Sequence, residues 1–218
     1  MNRALPPSAS IASADEGAKL HAPAAARNTD ALCALLRDHA PSAGTALEIA
    51  SGTGQHVIAF AAANPDLYWH PTEVDAARRA SIDAYVAEAN LTNVGTAAPL
   101  DATAPGWGNA IDPKDLVVLV NLLHLISTPE TIILINKAAD ALAQGGTLIL
   151  YGPFKRSGKL TSDGDARFDA DLKSADPAIG YKDDLDILNM LRDADLSQID
   201  RVEMPANNLA FIARKVAI

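Results

Sequence analysis

The run Leu47-Glu48-Ile49-Ala50-Ser51-Gly52-Thr53-Gly54-Gln55-His56 has residue types and a spacing suited to ligand binding. Gly52 and Gly54 let the backbone turn tightly and approach a bound molecule with no Cβ in the way. The helix expected after them points its unpaired N–H groups at the same spot. Glu48 stands just inside the preceding strand and can hold the loop. Glu73 closes the next strand, 19 residues after Gly54. A carboxylate there can accept from both hydroxyls of a ribose. Asp75 is the close alternative, or else the cap of the following helix.

Further candidates also follow strands. Asp101 comes after Leu100 and is either a ligand acceptor or a turn aspartate. Trp107 nearby either covers a flat ligand or wedges into the core. Asn121 and His124 follow the apolar run Leu116–Val120. An imidazole titrates near working pH, so His124 could take a proton from a reacting group; otherwise it is a helix-start histidine satisfied by backbone. Tyr151 either orients a second reactant or is a half-buried core phenol. Arg27 and Asn28 precede the first clear helical pattern, and Arg27 can meet a carboxylate with two parallel hydrogen bonds. Asn207 and Asn208 read as turn residues. His21, His39, His56 and His70 have no metal-ligand spacing, and neither Cys-x-x-Cys nor His-Glu-x-x-His occurs, so no metal is expected.

The elements that must position these residues alternate. Residues 1–22 carry no periodicity and read as a loose arm, with 23–218 as a single domain. Leu32, Leu35, Leu36 and His39 mark a helical face. Strands are expected at 46–50, 67–73, 94–100, 116–120 and 147–151, with helices between them. The helix opening at Ser127-Thr128-Pro129-Glu130 has a cap, an early proline and an early acid. Residues 153–180 show little periodicity and read as an insertion near the substrate side. A helix over 183–194 precedes strands 199–204 and 209–216, whose short connection makes them antiparallel. The fold class is therefore α/β, a seven-stranded, mostly parallel, Rossmann-like sheet with an antiparallel C-terminal hairpin and helices on both faces. Such sheets bind ligands at the carboxyl ends of their strands.

Leu-Glu-Ile-Ala-Ser-Gly-Thr-Gly is similar to the first motif of class I S-adenosylmethionine (SAM)-dependent methyltransferases, with Ala50 where a first glycine often sits. The terminal hairpin also fits that superfamily. More narrowly, several segments resemble the methyltransferase-like proteins grouped as domain of unknown function 938. They are Arg27-Asn28, Ala50 to His56, Trp69-His70-Pro71-Thr72-Glu73, Asn121 to His124, Tyr151-Gly152-Pro153-Phe154, Thr161-Ser162, Phe168-Asp169 and Met204 to Leu209. Asp163-Gly164-Asp165 departs from the Pro-Ser-Asn-like turn expected of the group. Ser127-Thr128 stands where a tryptophan often follows the histidine motif.

The resemblance implies SAM as cofactor. Ala50, Ser51, Gly52, Thr53 and Gly54 would lie under its methionine end, with Glu48 meeting its ammonium through water. Glu73 or Asp75 would hold the ribose. Asp101 and the Ala102 N–H would meet the adenine, Arg27 the carboxylate, and Asn28 and Asn121 would complete the site. His124 and Tyr151 would be the catalytic pair for direct methyl transfer to a small molecule. Two alternatives are a catalytically silent SAM-binding sensor or partner subunit and an NAD-dependent oxidoreductase. Against the latter, Val57 stands where dinucleotide sites want Gly or Ala.

Composition narrows the partners. The formal net charge is −9, and Lys155, Arg156 and Lys159 form the only close basic cluster, so a nucleic-acid backbone is a poor match. No apolar run approaches membrane-spanning length. A lone Cys33 forbids an internal disulfide, which fits a cytoplasmic setting. Residues 1–20 look like neither a signal nor a transit peptide.

Overall fold

The computed structural model describes residues 5–6 and 9–216. A six-stranded sheet is built from β3 (Gly44–Ile49), β4 (Leu67–Pro71), β5 (Lys114–Val120), β6 (Leu142–Pro153), β7 (Leu196–Met204) and β8 (Asn208–Lys215). Its order is β4-β3-β5-β6-β8-β7. The first four of these strands run parallel, and β8 pairs antiparallel with both β6 and β7. A separate ladder pairs β1 (Ser13–Ala14) with β2 (Leu20–His21).

Strand periodicity distributes the core over both faces of the sheet. Leu47, Ile49, Val117 and Leu119 point to one face, where Leu134 and Ile135 of α4 (Thr128–Ala141) and Ile187 and Leu191 of α6 (Asp184–Asp193) cover them. Ala46, Leu116 and Val118 point to the other. There Leu32 and Leu36 of α1 (Pro23–His39), Val57 and Phe60 of α2 (Gln55–Ala63) and Ile82 of α3 (Ala76–Ala89) cover them. Because both faces are covered, the central strands are continuously apolar. Ser127 caps α4 in a full capping box with Glu130, as its sequence signature predicts.

Four expectations change. The segment 94–100 is not a seventh strand: it touches the β4 edge through two isolated bridges, Trp69 with Val94 and Thr72 with Ala98. Gly95 and Pro99 interrupt it, and proline has no N–H to give a ladder. Residues 153–180 are not irregular, because they contain α5 (Asp163–Ala175), capped by Ser162 accepting from the Asp165 N–H. The arm is not loose between Ala9 and Ala22. Beyond the β1–β2 ladder, Leu20 N–H donates to Ser81 Oγ at 2.8 Å, Lys19 pairs with Glu88 at 2.5 Å, and Arg78 donates to Ser10 Oγ at 2.6 Å. Finally, α1 begins at Pro23, nine residues ahead of Leu32, the first residue of its apolar face, and so takes in Arg27 and Asn28; a proline in the first turn lacks an N–H that would be unpaired in any case.

Candidate functional site

A cavity of about 530 Å³ opens at the carboxyl ends of β3, β4 and β5. Its wall includes Ala50, Ser51, Gly52 and Thr53 from the loop after β3, and Glu73 and Asp75 from the turn after β4. Asp101, Ala102, Thr103, Asn121 and Leu122 come from the next two connections, and Arg27 from α1. The structure thus brings ten of the expected cofactor residues to one place.

The loop needs left-handed backbone at alternate positions, with φ of 53° at Ala50, 61° at Gly52 and 96° at Gly54. The two glycines serve different ends. A Cβ on Gly52 would meet nothing nearer than 3.8 Å, so the residue faces open space. A Cβ on Gly54 would come within 2.7 Å of Ile82 Cα, so this glycine lets α3 pack against the loop. Accordingly Gly54 does not line the cavity.

Glu73 is 5% exposed and is held by backbone alone. Gly52 N–H donates to its Oε2 at 3.1 Å, and Val74 and Asp75 N–H donate to Oε1 at 2.8 and 3.1 Å. That fixes the carboxylate at the cavity wall. Asp75 caps α3 by accepting from Arg78 N–H at 2.9 Å. Asp101 accepts from Thr103 N–H and Oγ1–H at 3.0 and 2.6 Å, an Asx turn that presents it to the cavity. Trp107 donates to the Ala102 carbonyl at 3.1 Å and belongs to the core. Asn207 and Asn208 serve the hairpin, the first donating to Asp165 and the second to Pro205 O.

Glu48 lies beneath the loop, wholly buried, and burial pushes its carboxyl up to about 8. Its Oε2 has no hydrogen-bond partner among the described residues.

His124 and Tyr151 are not brought to the cavity. His124 packs against Phe168 of α5 and Tyr181, with ring centroids 5.7 and 6.2 Å away. Burial, with the Lys182 charge second, pushes its imidazole down to about 3. Tyr151 is buried in the core and bonded to Asn28. Asn28 Oδ1 also accepts from His56 Nε2–H at 2.7 Å, and Asn28 stands behind the cavity wall.

Polar wall residues that escape a reading based on strand ends include His56, Arg78 and Glu130. His56 sits two residues past Gly54, in the first turn of α2, and that proximity was its signal in the sequence. Ala9, Ser10 and Ile11 of the arm also line the cavity. Among the described residues no cluster of His, Cys, Asp or Glu is arranged to hold a metal ion. No described helix is long and apolar enough to cross a membrane.

Residues 19–215 match the family described as Protein of unknown function (DUF938). The chain belongs to this family. Solved structures give the DUF938 fold its relatives. An O-methyltransferase family protein from Burkholderia thailandensis superposes with TM-score 0.77 at 17% identity, over 89% of this chain and 58% of that one. A putative O-methyltransferase from Nostoc punctiforme gives 0.76 at 20%, over 88% and 56%. Human N-acetylserotonin methyltransferase, solved with SAM, gives 0.68 at 12%, over 89% and 53%. The chain therefore spans a little over half the length of the structures it matches. At these identities the likeness is one of fold, the class I methyltransferase-like fold.

Proposed function

We propose that this DUF938 protein is a SAM-dependent methyltransferase acting on a small molecule. The observation that carries the reading is convergence. An open glycine loop, a backbone-held Glu73 and the Asp101-Ala102 turn, from successive strand ends, share one cavity of about 530 Å³.

The residues fit a nucleoside joined to an amino acid. Gly52 offers backbone without a Cβ, and Glu73 has lone pairs beyond its three N–H partners for a ribose diol. Asp101 and the Ala102 N–H suit an adenine edge, and Arg27 suits a carboxylate. Glu48, held neutral by burial, leaves its Oε2 as an unpartnered polar atom under the loop.

When bound, SAM supplies an electrophilic methyl group that needs no further activation. The chain's part is then to orient and to exclude water, and positioning supplies most of the rate. Ala9 and Ile11 of the arm, with Leu122, Leu125 and Ile126, give the cavity wall its apolar portion. Proton abstraction by His124 is not part of this mechanism, since Phe168 and Tyr181 pack against its ring. The acidic surface and the cavity's size suit a compact acceptor, and the lone, half-buried Cys33 fits a reducing compartment.

Calorimetric titration with SAM and with S-adenosylhomocysteine tests the reading. We expect micromolar binding of both, lost in Glu73→Ala. Absence of heat with either ligand, or a Glu73→Ala protein that binds like its parent, overturns it.

A further inference from the structure

The arm is held along one face of α3. Arg78, Ser81, Tyr85 and Glu88 follow one another at spacings of three, four and three, which sets them in a row. Glu88 pairs with Lys19, Ser81 Oγ accepts from the Leu20 N–H, and the Tyr85 hydroxyl donates to the Leu20 carbonyl at 3.3 Å. At the head of the row the contact has a second neighbour. Arg78 Nη2 donates to Ser10 Oγ at 2.6 Å and to the Ser10 carbonyl at 3.4 Å. Its Nη1 would lie 3.8 Å from a Cβ placed on Gly52, so the guanidinium stands beside the glycine loop. Ala9 packs on the apolar corner of Leu172, Ile179 and Tyr181, and Leu125 of the cavity wall packs on the same corner. Residues 9–11 are thus a piece of wall that joins the Gly52 side of the cavity to the Leu125 side. Ile11 in that piece is 58% exposed, so little apolar burial fixes it in place.

We propose that residues 9–11 form a strap that must swing aside for a ligand to pass, and that Arg78 is its latch. The strap is tethered at Lys19 and Leu20, and the β1–β2 ladder carries that tether as far as Ser13. A segment with few apolar contacts opens locally while the rest of the fold stays intact. Its opening then sets how fast a ligand enters and how fast it leaves. The latch joins the arm to α3 directly, with no ligand atom in the contact. It therefore holds the strap in the empty and in the filled protein alike, and it governs both rates while other wall residues govern affinity. The inference rests on the SAM reading only for the ligand used to test it.

Two measurements on the full chain test the latch. The first is stopped-flow binding of S-adenosylhomocysteine, followed by the fluorescence of Trp107, whose indole bonds the wall residue Ala102. In Arg78→Ala, association and dissociation should both accelerate about tenfold, with Kd within about threefold of the parent. Ser10→Ala removes one of the two acceptors and leaves the guanidinium beside the loop, so both rates should rise about threefold. Faster dissociation with unchanged association in Arg78→Ala would make Arg78 a ligand contact and overturn the latch, as would unchanged rates in both variants. The second measurement is amide hydrogen exchange without ligand. Residues 9–14 should exchange faster in both variants while residues 19–22 exchange as in the parent, which also certifies that each variant is folded. If the parent does not bind S-adenosylhomocysteine, the cofactor reading fails on its own. The exchange result still decides the latch, since faster exchange at 9–14 supports it and unchanged exchange overturns it.

Discussion

Two histidines follow two neighbouring parallel strands, and the fold uses them in opposite ways. His56 comes after β3 and the glycine loop and forms part of a cavity wall. His124 comes after β5, where chemistry at strand ends would be equally expected, yet Phe168 and Tyr181 pack around it. Burial pushes both imidazoles well below their ordinary value. The difference lies in what each loop faces. The β3 loop is shaped by glycines and opens onto the cavity, whereas the His124 end of the β5 loop is closed by Phe168 and Tyr181, 44 and 57 positions further along the chain. A residue's place at a strand end therefore does not by itself make it available to a ligand.

The comparison breaks most sharply through His124. His124→Ala should cost about 3 kcal/mol of stability, since it empties a buried aromatic corner. Its affinity for S-adenosylhomocysteine should equal the parent's. Urea unfolding and calorimetry on the same samples check both halves, and a variant that stays stable but loses binding would reverse the assignment of the two histidines.

The two glycines sharpen the other side. Gly54→Ala should cost about 2 kcal/mol, because its Cβ meets Ile82 backbone at 2.7 Å as well as the left-handed φ. Gly52→Ala faces open space and should cost about 1 kcal/mol from φ alone, yet should weaken ligand binding more than its stability loss suggests. Thermal unfolding of the pair, read beside calorimetry, separates packing from ligand approach.

The pH dependence gives a shallower signature, at most about 1.4 kcal/mol per pH unit for each group. His56 and His124 titrate lower in the folded chain than in the unfolded one, at about 4 and 3 against 6.5. Below pH 6.5 the unfolded chain binds more protons at these sites, so their contribution falls as pH falls. Glu48 has the opposite sign, at about 8 folded against 4.5 unfolded. Its contribution falls as pH rises from 4.5 towards 8, and above 6.5 it acts without opposition from the histidines. Stability should peak near pH 6.5, and Glu48→Gln should flatten the alkaline side. Denaturant midpoints measured between pH 5 and pH 8 check this.

What was legible in the sequence follows from how local each requirement is. Left-handed turns at Gly52 and Gly54 and an acid at Glu73 are written in single residue types, and the cavity forms around them. The capping box at Ser127 and Glu130 is equally local. Helix α5 was hidden because its apolar face is little more than Phe168 and Leu172 among acids and small residues, although Ser162, Asp163 and Asp165 gave a start signal. The corner around His124 was illegible for the same reason, since it depends on that helix folding back. The β1–β2 ladder pairs two residues with two, too few for any alternation to register.

One detail of the arm concerns how such a chain is cut. The family's shared region begins at residue 19, but Ala9, Ser10 and Ile11 stand in the cavity wall, and Ser10 is tied to Arg78. A protein trimmed to the common boundaries would lose the part of the cavity wall that these three residues supply. The chamber is thus built partly from shared sequence and partly from residues that precede it.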